Sequence, residues 1–268
     1  MPGILTETDL HLVRLHGRVE EIDGITVVRV PDNPGYRWGN CLYLPAPPAP
    51  DELVGLIQLA RTVFADQPGS THVMLRWDGD PVPTELAEHA ETLGMRIDSG
   101  QVMRTSTLDS VRDSGVEVRP IDMELNWADI VAINIACDPE EIGGVPDYIA
   151  FKEGLRRAWQ AWVQSGDAVW WGAFIDDRLV GQAGMVHCPG NRGRYQSIET
   201  HPEFRRRGVC TSLVSVMGNL ALQESWCDTL LLGVDPKGIA VHIYGSLGFT
   251  LGSWQNGLVI KGHLGASC

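Results

Sequence analysis

Runs of branched apolar residues, broken by turn-forming clusters, set out the first half of the chain. Ile25-Thr26-Val27-Val28-Arg29-Val30 is almost wholly β-branched and suits a pleated strand better than a helix. Pro31-Asp32-Asn33-Pro34-Gly35 ends it in a turn, and residues 39–44 predict a second strand. The stiff connector Pro45-Ala46-Pro47-Pro48-Ala49-Pro50 leads to Asp51, an N-cap candidate. A helix follows, with Leu53, Leu56, Ile57, Leu59 and Ala60 on its apolar face. A strand over 71–77, a helix over 83–93 and two short strands up to Thr105 complete this half.

Between Ser106 and Ser114 no apolar face persists, and Ser, Asp and Arg dominate, which predicts a domain linker. Beyond it the pattern predicts a short strand at 116–119, amphipathic helices over 125–136 and 146–165, and an apolar strand over 168–175. Asp176-Asp177 predicts a hairpin turn into a partner strand at 179–186. A strand over 195–200 runs into a basic turn, then a helix through Leu213, Val214, Val216, Met217, Leu220 and Ala221. A strand over 229–234, a helix over 238–247 and strands at 249–251 and 258–260 close the chain. Strands and helices interleave around one mixed sheet, so the expected class is α+β, with an α/β-type mixed sheet. The expected division is 1–110 and 114–268.

Composition narrows the functions. At 268 residues and 44% hydrophobic, the chain has material for two cores. A formal net charge of −13 argues against a phosphate backbone as partner, because such affinity rests on Lys and Arg. No apolar stretch reaches the ~18 residues of a membrane span, and the N-terminus has no signal-peptide pattern. The six cysteines lack C-x-x-C spacing, so neither a zinc site nor a dithiol redox motif is expected. These features point to a cytoplasmic protein with reduced thiols.

Candidate chemistry gathers in two segments. In Ile198-Glu199-Thr200-His201-Pro202-Glu203-Phe204-Arg205-Arg206-Arg207-Gly208-Val209-Cys210 a strand ends, a basic loop turns at one glycine, and a helix starts. The unpartnered N–H groups and dipole of such a start favour an anion, and Gly208 lets backbone approach a phosphate. A solvated Arg-rich turn is the plainer alternative. In Ala240-Val241-His242-Ile243-Tyr244-Gly245-Ser246-Leu247-Gly248-Phe249, Gly248 caps a helix and Tyr244 lies one turn before its end.

Together the segments resemble the GNAT superfamily of acyl-CoA-dependent N-acetyltransferases. Its signature Q/R-x-x-G-x-G/A is matched by Arg205-x-x-Gly208-x-Cys210, and its later A-x-x-x-Y-x-x-x-G-F by Ala240, Tyr244, Gly248 and Phe249. The resemblance covers the second half. It implies a GNAT fold there and acetyl-CoA as co-substrate, with no metal. It also implies that the strand before the signature splays from its neighbour and receives the pantetheine arm along Ile198, Glu199 and Thr200. The diphosphate would lie on Arg206, Arg207, Gly208, Val209, Cys210 and Thr211, with Arg205 opening the motif. Tyr244 would protonate the departing thiolate, and Glu199 is the candidate base, ahead of His187 and His201. Two positions depart from the pattern. Cys210 stands where Gly or Ala is usual, and Lys237 stands where many members place an Asn that contacts the cofactor.

The implied reaction is acetyl transfer to a primary amine by direct attack in a ternary complex. The acceptor stays open between a small molecule, a peptide and a protein terminus, and a homo-oligomer is compatible. A catalytically silent CoA-binding scaffold and an enzyme for longer acyl-CoA remain alternatives. Asp138, Glu140 and Glu141 either hold an acceptor ammonium or charge the start of the next helix. The tryptophans Trp127, Trp159, Trp162, Trp170 and Trp171 are expected in the core.

The first half echoes this plan. Leu93-Gly94-Met95 parallels Leu247-Gly248-Phe249, which sets Ala90 where Tyr244 stands, and the proline-rich run 45–50 replaces the signature loop. Residues 1–110 therefore resemble a truncated, degenerate GNAT-like domain without a cofactor site, with an unrelated small α+β domain as the alternative.

Overall fold

The computed structural model describes residues 3–109, 114–137 and 145–261. In chain order the elements are α1 (Ile4–Arg14), β1 (Arg18–Ile22), β2 (Ile25–Arg29), β3 (Cys41–Tyr43), α2 (Leu53–Val63), β4 (Val73–Gly79), α3 (Thr84–Thr92), β5 (Arg96–Ile97) and β6 (Gly100–Thr105). There follow β7 (Glu117–Pro120), α4 (Trp127–Cys137), α5 (Val145–Ser165), β8 (Ala168–Ile175), β9 (Arg178–Cys188), β10 (Arg192–Thr200), α6 (Val209–Gln223), β11 (Thr229–Val234), α7 (Ala240–Gly245) and β12 (Thr250–Ile260). The chain forms two compact units. One is Met1–Val102 with Gly143–Gly154 and Ser253–Cys268; the other is Met103–Ile142 with Leu155–Gly252.

In the first unit the strand order is β1-β2-β3-β4-β12, and β5 also pairs with β12. The β3–β4 pair is parallel and the others are antiparallel. Alternate residues feed two cores, as a pleated strand requires. Val27, Leu42, Leu75, Trp77 and Leu258 pack with Leu53, Ile57 and Ala60 of α2 and Leu86 and Ala90 of α3. Val28, Cys41, Tyr43, Met74 and Val259 pack with Leu10 and Val13 of α1.

Three features of this unit depart from the sequence expectation. Helix α1 was not foreseen because its buried face includes Thr6 and Thr8, which blur the apolar period. Strand β1 is a charged edge strand, exposed at Arg18, Glu20, Glu21 and Ile22, so it shows no alternation. Its hairpin turns at Asp23 (φ 50°) and Gly24 (φ 78°), a two-residue loop with both residues left-handed. The strands expected at 249–251 and 258–260 are one strand, β12. The polar stretch that split the pattern is buried: Gln255 Nε2 donates to Thr6 Oγ1 at 2.7 Å, and Asn256 Nδ2 to the Asp80 carbonyl at 2.7 Å.

In the second unit the order is β11-β10-β9-β8-β7, antiparallel except for the parallel β10–β11 pair. Asp176 (φ 50°) and Asp177 (φ 58°) form the expected hairpin turn between β8 and β9. Helix α6 buries Leu213, Val214, Met217 and Ala221 against Ala173, Ala183, Met185, Leu230 and Leu232 of the sheet, while α4 packs on β9 and β10. Asp138, Glu140 and Glu141 lie outside the described residues.

Candidate active site

Strand β10 starts between two neighbours and ends with one. Its parallel pairing with β11 covers Arg192, Gly193 and Arg194 only, opposite Thr229, Leu230 and Leu231. Its antiparallel pairing with β9 runs on to Thr200, opposite Gly181. Beyond Arg194 the strand therefore leaves β11, and residues 196–200 are half-buried. Ile198, Glu199 and Thr200 lie on this departing segment, and the buried Thr200 hydroxyl has no hydrogen-bond partner among the described residues.

The departing segment contains a β-bulge. Gln196 pairs with Gly184, yet Glu199 rather than Ile198 pairs with Gln182. Ser197 takes up the extra residue at φ 47°, in the left-handed region. Because strand side chains alternate, one inserted residue exchanges the two faces, so the bulge sets which face Glu199 occupies. Glu199 Oε2 accepts from the Asn134 side-chain amide of α4 and from Gln182 Nε2 at 2.9 Å. Gln182 is aligned in turn by the Trp170 indole, which donates to Gln182 Oε1 at 2.6 Å.

The basic turn has the backbone that its sequence calls for. His201 Nδ1 accepts the Glu203 N–H at 3.4 Å and so caps the short turn Pro202–Phe204. Arg206 at φ 64° and Gly208 at φ 79° are both left-handed. Turns of this kind converge successive N–H groups on one point and attract anions. A non-glycine residue in this region costs about 1–2 kcal/mol, and such strain tends to gather at functional sites. Ser212 makes the first bond of α6, to the Gly208 carbonyl at 2.8 Å. The N–H groups of Val209, Cys210 and Thr211 precede that bond and have no acceptor within the helix. The first turn of α6 carries no acidic residue and no side-chain cap. Arg205, Arg206 and Arg207 are exposed around it, Arg207 with its guanidinium 5.1 Å from the centre of the Phe204 ring. A β-carbon on Gly208 would meet Ser114 Cβ at 2.8 Å, so both conformation and space require glycine there.

Tyr244 lies on α7, 6% exposed, one turn before Gly248 caps the helix at φ 91°. It packs in the same core cluster as Cys210 of α6, and the two side chains interact, so the structure brings the two sequence segments together. Burial, followed by the charge of and bond to Cys210, pushes the Tyr244 pKa well above the ordinary phenol value. Burial likewise pushes the Cys210 thiol up to about 11, although the bond with Tyr244 opposes the shift. Cys210 is thus a protonated thiol near neutral pH, an unsuitable nucleophile.

The remaining candidates have local partners. His187 Nε2 lies 3.2 Å from Asn191 Oδ1, far along β9 from Glu199. Lys237 donates its backbone N–H to Asp235 Oδ1 at 2.9 Å and its turn leads into α7. Trp127, Trp159, Trp162 and Trp170 are core residues. Sequence reasoning missed Asn134, Gln182 and Trp170. The available signal was a polar residue inside an apolar element, Asn134 in Ile133-Asn134-Ile135 and Gln182 in Val180-Gly181-Gln182-Ala183. Among the described residues no cluster of His, Cys, Asp and Glu is arranged to hold a metal.

This arrangement, a departing strand followed by a basic turn and a helix start without acidic residues, lies within the match to a known family. The sequence model of the Acetyltransferase (GNAT) family matches residues 127–249. Residues 127–249 are therefore a GNAT-type acyltransferase domain. No curated protein matches it in sequence. Solved structures share the fold along its length. A conserved protein of unknown function from Staphylococcus epidermidis ATCC 12228 aligns with a TM-score of 0.74 at 15% identity, over 92% of this chain and 95% of its own. A GCN5-related N-acetyltransferase from Kribbella flavida aligns at 0.63 and 15% identity, over 96% and 93%. A tandem GNAT protein from the clavulanic acid biosynthesis pathway aligns at 0.51 and 14% identity, over 79% and 68%. The family match contains β10, α6 and α7.

Proposed function

We propose that the protein is an acetyl-CoA-dependent N-acetyltransferase of tandem form that acts in the cytoplasm on a primary amine. Residues 114–268 would bind the coenzyme, and residues 1–110 would be a degenerate GNAT-like half without a cofactor site. The observation that carries this reading is the departure of β10 from β11 after Arg194, followed through a short basic turn by a helix whose first turn carries no acid. The opening between the strands suits an extended pantetheine arm on Ile198, Glu199 and Thr200. The N–H groups of Arg206, Arg207, Gly208, Val209, Cys210 and Thr211 suit the diphosphate, and exposed Arg205, Arg206 and Arg207 add charge at the rim.

On this reading the amine nitrogen attacks the thioester carbonyl carbon. The N–C bond forms, the C–S bond breaks and the sulfur leaves as thiolate. The amine's proton passes to Glu199, directly or through water, and the thiolate takes its proton from Tyr244. Tyr244 keeps its proton at neutral pH and so holds one to donate in the resting protein. Positioning supplies most of the rate.

Thiol release from acetyl-CoA across a panel of primary amines, alongside calorimetric CoA binding, tests the reading. The expected result is turnover with at least one amine, and a Tyr244→Phe variant with kcat lowered roughly tenfold to a hundredfold and unchanged CoA affinity. Tight CoA binding without release on any amine would favour a silent CoA-binding scaffold. Faster turnover of butyryl-CoA than of acetyl-CoA would assign a longer acyl donor.

A further inference from the structure

Two residues that the family pattern does not name, Asn134 and Gln182, converge on Glu199, and a third, Trp170, holds Gln182. Asn134 and Gln182 are both 0% exposed, and each donates a side-chain N–H to the same carboxylate oxygen, Oε2. They come from different elements, α4 and β9, so no local turn geometry accounts for the convergence. Gln182 cannot rotate freely, because the Trp170 indole N–H occupies its Oε1 at 2.6 Å. Trp170 is itself fixed by stacking on Trp159, with centroids 4.4 Å apart and planes at 22°. A chain of contacts therefore runs from an aromatic stack through one amide to one carboxylate.

Asn134 donates to Glu199 at a cost to the fold. Its Oδ1 is buried and has no hydrogen-bond partner among the described residues. An apolar residue of similar volume would fill the position without that penalty. Local rules broken in this way are characteristic of functional rather than merely stable positions. The bulge at Ser197 points the same way, since without the inserted residue Ile198 and not Glu199 would pair with Gln182.

We infer that Asn134, Gln182 and Trp170 are positioning residues that fix the Glu199 carboxylate in the orientation needed to receive the acceptor's proton. The inference rests on the reading of Glu199 as the base. The two amides hold one carboxylate oxygen and thereby fix the plane of the carboxylate. Trp170 acts at one remove, by preventing Gln182 from turning its carbonyl towards Glu199, which would repel it.

Kinetics of the full chain with acetyl-CoA and the most reactive amine of the panel test this. Gln182→Met and Asn134→Leu each remove a donor at similar volume, and each should lower kcat about tenfold while leaving KM for acetyl-CoA within about twofold. Trp170→Phe keeps an aromatic ring at the stack, removes the indole donor and leaves a small cavity. It should lower kcat about threefold, and it serves if the other variants fold poorly. The decisive arm repeats Gln182→Met in a Glu199→Gln background, where no further loss is expected, because residues that act through one group are not additive. The same tenfold loss in that background, or unchanged kcat in Trp170→Phe and Gln182→Met, overturns the positioning role. Full activity of Glu199→Gln alone instead removes the reading of Glu199 as base, and the inference goes with it.

Discussion

The two units repeat one plan and differ where a coenzyme would bind. Each has an antiparallel hairpin, β1–β2 or β8–β9, and a third strand antiparallel to it, β3 or β10. In each a helix then leads to a fourth strand parallel to the third. The next helix ends alike in both. Met95 N–H bonds to the Ala90 carbonyl at 2.9 Å, as Phe249 N–H does to Tyr244 at 3.1 Å, around Gly94 and Gly248 at φ 76° and 91°. The differences are local. Strand β3 stays with β4 to its end, where Leu44 N–H reaches the Arg76 carbonyl at 2.7 Å, whereas β10 leaves β11. Four prolines in the run 45–50 remove N–H donors, and the Glu52 carboxylate accepts the Ala49 N–H at 2.7 Å. A helix start occupied by its own carboxylate has little to offer a phosphate. On the strand pair itself, buried Arg76 bonds to the Tyr43 hydroxyl at 3.0 Å and to Asp9 at 3.3 Å. The fold plan is common to both units, and on the proposed reading the chemistry depends on one strand's departure and one helix's first turn.

The comparison can be broken first at its glycines. Gly208→Val should weaken CoA binding about tenfold or more by calorimetry, about 1.4 kcal/mol, because a branched side chain disturbs the left-handed turn and its N–H groups. In the other unit, Gly94→Ala introduces a side chain at φ 76° with no atom within 4 Å. It should cost about 1 kcal/mol in urea denaturation and leave CoA affinity unchanged. Equal effects of the two variants on CoA would mean that the units are not functionally distinct.

A smaller effect distinguishes Tyr244 from Ala90. Because the folded-state pKa of Tyr244 is raised, its neutral form contributes stability that is complete below about pH 10, the ordinary tyrosine value. Above that pH the unfolded chain loses the proton first, so stability falls as pH rises. Tyr244→Phe should make the decline in urea stability above about pH 10 shallower, and the wild type should lose no activity through Tyr244 below that pH. A decline of the same slope in Tyr244→Phe would show that this hydroxyl is not the one whose burial matters.

Much of this was legible from the residues. Positive-φ glycines, paired aspartates in a two-residue turn and β-branched runs have local physical causes, and the elements they marked are present at Gly208, at Asp176-Asp177 and in β2. What was not legible depends on partners distant in sequence. The continuity of β12 requires Thr6 and the Asp80 carbonyl to satisfy Gln255 and Asn256. The face taken by Glu199 depends on a bulge whose extra residue, Ser197, carries no turn signal of its own. The packing of Cys210 with Tyr244 joins two motifs that the sequence could only place on separate helices.

The most direct measurement is a crystal structure of the protein with bound coenzyme A. The account predicts the diphosphate within hydrogen-bond distance of the N–H groups of residues 206–211 and the pantetheine beside Ile198, Glu199 and Thr200. A diphosphate bound anywhere else, or a coenzyme that leaves the opening beyond Arg194 unfilled, would contradict it.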